Sequence, residues 1–191
     1  ECRSLLTDRG WSLHDRSKTS AQCIKELYET IRKNSGNAIL IGCNVIGHLA
    51  AGLIHIHRSG DDTSGRNYDR SIYMGINALA YRLAQHKAFF DVDADCVAIT
   101  DKIPWDMNKR MLELYAKSGT PLLVSVSPDC ATEEVMEELR KAFALASKQT
   151  QQMEPIDWMD TTIPERYLVD NELLEYSWIR DFGLEWLFSD I

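Results

Sequence analysis

Four short apolar runs limit what this chain can fold into. Residues 38–43, 53–57, 96–99 and 121–126 are each too short for an ordinary helix, and each gives way to polar residues. Such runs read as strands buried on both faces. Between them the apolar residues switch to helical spacing. Thr19-x-x-Gln22 is a capping-box pattern ahead of Ile24, Leu27, Tyr28 and Ile31, and Gly36 stops that helix. Ile72, Ile76, Leu79 and Leu83 mark a second helix, over residues 69–83. Trp105, Met111, Leu112, Leu114 and Tyr115 mark a third, between Pro104 in its first turn and Gly119 at its end. Thr132 and the acidic pair Glu133-Glu134 open a fourth, which carries Val135, Met136, Leu139 and Phe143.

Alternating strands and helices imply a parallel sheet with covering helices. Residues 44–51 read as a loop or short helix, 59–67 as a polar loop and 89–95 as an acidic–aromatic loop. After Lys148 the periodicity fades, and the aromatic end (Tyr167, Tyr176, Trp178, Trp186, Phe188) is expected to pack as short strands. Four strands are too few to close a β/α barrel, which takes eight strands and about 250 residues. The chain is therefore either a small open sheet or half of a barrel.

At 191 residues the chain is long enough for one domain with a sizeable core. A formal net charge of −8 without clustered Lys or Arg argues against a nucleic-acid partner. No apolar run approaches the roughly 18–20 residues of a membrane span. The first residue is Glu1 and no signal-like segment follows, so a processed form or a fragment is expected. The five cysteines are widely spaced with no C-x-x-C. They read as buried free thiols, not as a disulfide framework or a zinc pattern.

Four constellations sit beside the predicted strands, where parallel α/β proteins place their chemistry. In Gly42-Cys43-Asn44 a strand ends in a pair able to face a ligand; the alternative is a core Cys and a capping Asn. Arg58-Ser59-Gly60-Asp61-Asp62-Thr63 sets two carboxylates just after an arginine; the alternative is a surface turn built from turn-forming residues. Asp91-x-Asp93-x-Asp95 alternates acids like a calcium loop but lacks its Gly and its closing Glu, so a solvated acidic loop is the alternative. His55-x-His57 on a strand would point both rings to one face, a metal-site spacing; the alternative is that both line packing.

In order along residues 39–127, these segments resemble the retaining α-galactosidases of glycoside hydrolase families 27 and 36, and more closely the family 36-like bacterial members. Ile41-Gly42-Cys43-Asn44 resembles the fifth-strand signature, and Arg58 to Asp62 the sixth-strand Arg-x-x-x-Asp. Asp93-Ala94-Asp95-Cys96-Val97 is similar to the seventh-strand Asp-Pro-Asp-Met-Leu, and Pro121-Leu122-Leu123-Val124 to the eighth-strand Pro-Leu-Leu motif. The resemblance implies an α/β fold that is half of a (β/α)8 TIM barrel, strands five to eight, over residues 1–150. A C-terminal extension over 151–191 would lead out of the barrel. It implies that Asp62 is the general acid/base, with Asp61 the alternative if the loop aligns one residue shorter. Arg58 and Asp95 would hydrogen-bond sugar hydroxyls, and Cys43 and Cys96 would line the sugar pocket. Asn44 stands where many members carry an acid and His48 where some carry an aromatic residue, departures that bear on which sugar is bound.

The resemblance also implies a nucleophile on a fourth-strand Lys-x-Asp, a motif not found before the first helix. The expected function is thus that of a retaining α-glycosidase needing neither metal nor organic cofactor, with the chain alone inactive. Its expected partners are a carbohydrate substrate and either the missing N-terminal half of the barrel or a second copy meeting exposed strand edges. Asp62 is expected to be partly desolvated or held near another carboxylate, as a proton donor requires. Two alternatives of other classes are a non-catalytic sugar-binding half-barrel and a metal-dependent hydrolase using His55 and His57.

Overall fold

The structure, a computed structural model, describes residues 13–148 and 153–178. Trp186, Phe188 and the segment Cys2 to Ser12 lie outside the described residues. Helix α1 (Ser20–Asn34) starts on the capping box predicted for it. The Thr19 side chain accepts from Gln22 N at 3.3 Å while Thr19 N donates to Gln22 Oε1 at 2.8 Å, so two orphan helix donors are satisfied reciprocally. Gly36, at φ 56°, takes the left-handed turn after the helix.

Strand β1 (Ile41–Gly42) pairs in parallel with β2 (Ile56–Arg58), and β2 with β3 (Asp91–Asp93). Strand β4 (Cys96–Ile99) pairs in parallel with β5 (Leu123–Val126). Only Ala94 and Asp95 separate β3 from β4, and Asp95 is in the left-handed region at φ 70°. One length of chain thus pairs with β2 before this kink and with β5 after it. The crossovers carry a one-turn α2 (Gly47–Ala50), then α3 (Tyr68–Ser71) running through a π-helical turn at Ile72–Ile76 into α4 (Asn77–Arg82). Next come α5 (Trp105–Lys117) and α6 (Glu133–Ala146), the latter capped by Thr132 as predicted.

The fold is mixed α/β, with parallel strands under helices. Three expectations need correction. The strand expected over 53–57 begins at Ile56, because Leu53 N and Ile54 N close the α2 turn on the Ala50 carbonyl. His55 therefore stands before the strand. Residues 91–93 of the expected loop are strand β3; its alternate acids hid it from a criterion based on apolar runs. The strands also form two short parallel sheets, and the tail adds an antiparallel one, β6 (Met153–Pro155), β7 (Arg166–Val169) and β8 (Glu172–Glu175). The short strands expected in the tail are these.

The core lies on the helix side. Val97 and Ile99 pack with Ile72, Ile76 and Leu79 and with Met107, Met111, Leu114 and Tyr115. Met153, Tyr167, Val169, Leu174 and Trp178 of the C-terminal sheet belong to the same cluster. The opposite strand face is open at its two edge strands, where Ile41 is 57% exposed and Leu123 40%, and covered at β3, where Asp93 is buried. Period-two alternation makes this so, since Gly42, His57 and Val92 turn toward the helices and their neighbours turn away.

Candidate functional site

The chain after β2 folds back on its own arginine. Arg58 Nη2 lies 2.6 Å from Asp62 Oδ1, and Arg58 Nη1 lies 3.5 Å from Asp95 Oδ1. Burial opposes the Arg58 charge, but Asp95 first, then Cys43 and Asp62, outweigh it and raise its pKa. Arg58 Nε is buried without a hydrogen-bond partner among the described residues.

Asp95 is held from three directions. Its Oδ2 accepts from Thr63 N at 2.7 Å and lies 3.0 Å from Thr63 Oγ1. Its own N–H donates to Asp93 Oδ1 at 2.7 Å, which supports the left-handed backbone that a non-glycine residue rarely adopts. Asp93 stands beside Arg58 in register and is only 2% exposed. Burial pushes its pKa up, while the Asp95 N–H and the Arg58 charge pull the other way. Burial, then the Asp95 charge, also raises the Cys96 thiol.

Asp61 and Asp62 diverge. Asp61 Oδ1 accepts from Asp62 N at 2.8 Å, and its Oδ2 lies 3.3 Å from Arg70 Nη2. Arg70 Nε also donates to the Asp62 carbonyl at 2.8 Å, so α3 ties down the back of the loop. The Asp62 carboxylate faces Arg58 instead, with a side chain that is 64% exposed. The expected desolvation is therefore not present in the chain as folded, and the group nearest the Asp62 carboxylate is Arg58, not Asp61.

Arg58, Asp62 and Asp95 come together, with Cys43 exposed close enough to act on Arg58 and Cys96 joined to Asp95 through Thr63, whose hydroxyl also donates to the Cys96 carbonyl at 2.8 Å. Asn44 and His48 fall elsewhere. They line a cleft of about 540 Å³ that also takes in Arg58, Asp61 and Arg82, but not Asp62, Asp95 or Cys96. His55 and His57 do not share a ligand. His55 Nδ1 accepts from Leu40 N at 2.9 Å, whereas His57 is buried against Phe90, its Nε2 3.4 Å from the Val45 carbonyl. Among the described residues no three His, Cys, Asp or Glu side chains gather as a metal site. Thr63, Arg70 and Asp93 contribute to the site without a role assigned from the motifs. Thr63 and Asp93 lie within quoted motifs, but nothing in the sequence joins Arg70 to a loop eight residues upstream.

Compared with solved structures, the chain is similar to TtGalA, an α-galactosidase from Thermus thermophilus solved with p-nitrophenyl α-D-galactopyranoside. The TM-score is 0.56 and the sequence identity 16%. The fold is distantly α-galactosidase-like. The likeness covers 83% of this chain and 34% of that one, so the chain spans about a third of the structure it matches. At this identity the likeness shows the fold alone. No family model matches the chain, and neither does any curated protein.

Proposed function

We propose that this chain is the C-terminal half of the catalytic barrel of a retaining α-glycosidase acting on α-galactoside-like substrates, with Asp62 as general acid/base. The observation that carries the reading is the Arg58–Asp62–Asp95 array just beyond parallel strand ends, in a fold similar to part of an α-galactosidase. Retaining enzymes need two carboxyl groups about 5–5.5 Å apart, one attacking the anomeric carbon and one protonating the leaving oxygen and then activating water. Asp62 is the second of these. Asp61 is the weaker candidate, since both its oxygens are already engaged by the Asp62 N–H and Arg70. Asp95 and the Arg58 guanidinium offer an acceptor and donors to sugar hydroxyls, with Cys43 and Cys96 beside them, while Asn44 and His48 line the separate cleft that reaches Arg58. The nucleophile comes from the polypeptide that completes the barrel. Closing the open strand face also shields Asp62 from water, as a proton donor needs.

The test is turnover of p-nitrophenyl α-galactoside. The chain alone is inactive. Co-expressed with a polypeptide supplying a Lys-x-Asp strand, it becomes active. Asp62→Ala then lowers the rate by about 10²–10⁴, whereas Asp61→Ala leaves most of it. Activity of the chain alone that disappears in Asp62→Ala would overturn the half-site reading. Sugar binding that never turns over would favour a non-catalytic half-barrel.

A further inference from the structure

The cleft that holds Asn44 and His48 is lined on its far side by Arg82 and Gln85, and Phe89 and Phe90 form one wall. It lies between the one-turn helix α2 of the β1–β2 crossover, the loop after β2, and the end of α4. Its charges do not cancel. Arg58 is balanced by Asp62 and Asp95, and the lining acid Asp61 by Arg70. Arg82 has no ion-pair partner among the described residues, in a chain whose formal net charge is −8. Arg82 is itself exposed where it lines the cleft; burial lowers the pKa of His57 first, the Val45 carbonyl opposes that, and the Arg82 charge lowers it further. The same cleft is lined by the uncharged Gln85 amide, and by Ser59 and His57, whose polar atoms lie within hydrogen-bond distance of one another and of the Val45 carbonyl. A guanidinium without an ion-pair partner among the described residues, in one cleft with a neutral amide and two phenylalanines, suits an anionic group on an organic ligand.

The cleft also adjoins the acid/base. It reaches Arg58, whose other side holds Asp62, and Gly60 and Asp61 of the same loop. A general acid delivers its proton on the leaving-group side of the scissile bond. We propose that this cleft receives the leaving-group end of the glycoside, and that this end carries a carboxylate or phosphate met by Arg82. The proposal rests on the glycosidase reading above and deepens it by naming the substrate class: α-glycosides of acidic, not neutral, leaving groups.

Two arms of one NMR experiment on the full chain test it. In the first, inorganic phosphate and benzoate are titrated while the His57 ring resonances are followed. Both anions shift them in the wild type, and the shift is lost in Arg82→Gln. In the second, 4-carboxyphenyl and phenyl α-galactosides are compared. The acidic glycoside binds about tenfold more tightly at low salt, as expected for one charge-assisted contact at a partly solvated site. Arg82→Gln removes that advantage without weakening the phenyl glycoside. Equal binding of the two glycosides overturns the anion preference and leaves the glycosidase reading standing. Anion shifts at His57 with no binding of either glycoside overturn both the placement and the function proposed above. No shift with either anion overturns the cleft as an anion site.

Discussion

Arg58 serves two carboxylates at once, and most of the candidate site can be understood from that. The family resemblance sets Arg58 and Asp62 in one motif without pairing them; the structure pairs them and adds Asp95, set by a backbone φ of 70° held by Asp93. Asn at position 93 keeps an acceptor for the Asp95 N–H, while Ala does not. Asp93→Ala should therefore cost about 1–3 kcal/mol in urea unfolding, the range for a buried donor left unsatisfied, and Asp93→Asn clearly less. Equal losses in the two variants would show that Asp93 does not act through Asp95. The buried titrating groups also set opposing pH trends. His57 and His86 have pKa values lowered by burial from 6.5, so the unfolded chain takes up protons first as pH falls below that value. Their contribution is complete above 6.5 and is lost on acidification. Asp93 runs the other way: its pKa is raised from 3.8, so its contribution is lost as pH rises through the folded value. His57→Phe should flatten the fall in unfolding free energy between about pH 7 and about pH 5. A slope unchanged from wild type would remove His57 from that account.

At the scale of elements, the loop after β2 is fitted to one irregular turn of helix. Asn77 N–H reaches back five residues to the Ile72 carbonyl, which makes Ile72–Ile76 a π-turn, a feature often found at functional sites. A methyl group at Gly60 would run into the Met74 carbonyl oxygen of that turn. Gly60→Ala should cost about 1–3 kcal/mol, the range for overpacking against a rigid neighbour, and should shift Arg58 and Asp62 together. A thermal melt checks the first, and the NMR signals of the Arg58 guanidinium check the second; an unchanged melting temperature would contradict the fit. None of this is visible in an apolar periodicity, since Ile72, Ile76 and Leu79 satisfy helical spacing with or without an inserted residue. The same criterion placed the preceding strand three residues early, because Leu53 and Ile54 are apolar whether they pair with a sheet or close a helical turn. Capping was more legible. Thr19 with Gln22, and Thr132, act within one turn and need no tertiary partner.

For the whole molecule the decisive feature is the uncovered strand face. The helix side has a core shared by β4, β5 and the C-terminal sheet, yet Ile39, Ile41 and Leu123 on the other side are 71%, 57% and 40% exposed. Among the described residues β1 and β5 each pair along one edge only. Open parallel edges beside exposed apolar side chains favour association. The purified chain should therefore gain mass with concentration in light scattering, and Ile41→Lys with Leu123→Lys should return it to a monomer without lowering its melting temperature. A wild-type chain that stays monomeric at high concentration would count against the face as an interface.

The amino-acid sequence by itself determined what depends on near neighbours: the helix caps, the alternation of strand and helix, and the strand at Cys96–Ile99. Tertiary structure decided what depends on distant residues: the kink that presents Asp95 to Arg58, the separation of Asp61 from Asp62 by Arg70, the division of His55 from His57, and the cleft beside the one-turn crossover. The physical reason is range. Capping and periodicity are settled within a turn or two of chain. Which face of a strand is buried, and which charge meets which, is settled only when segments tens of residues apart compete for the same space.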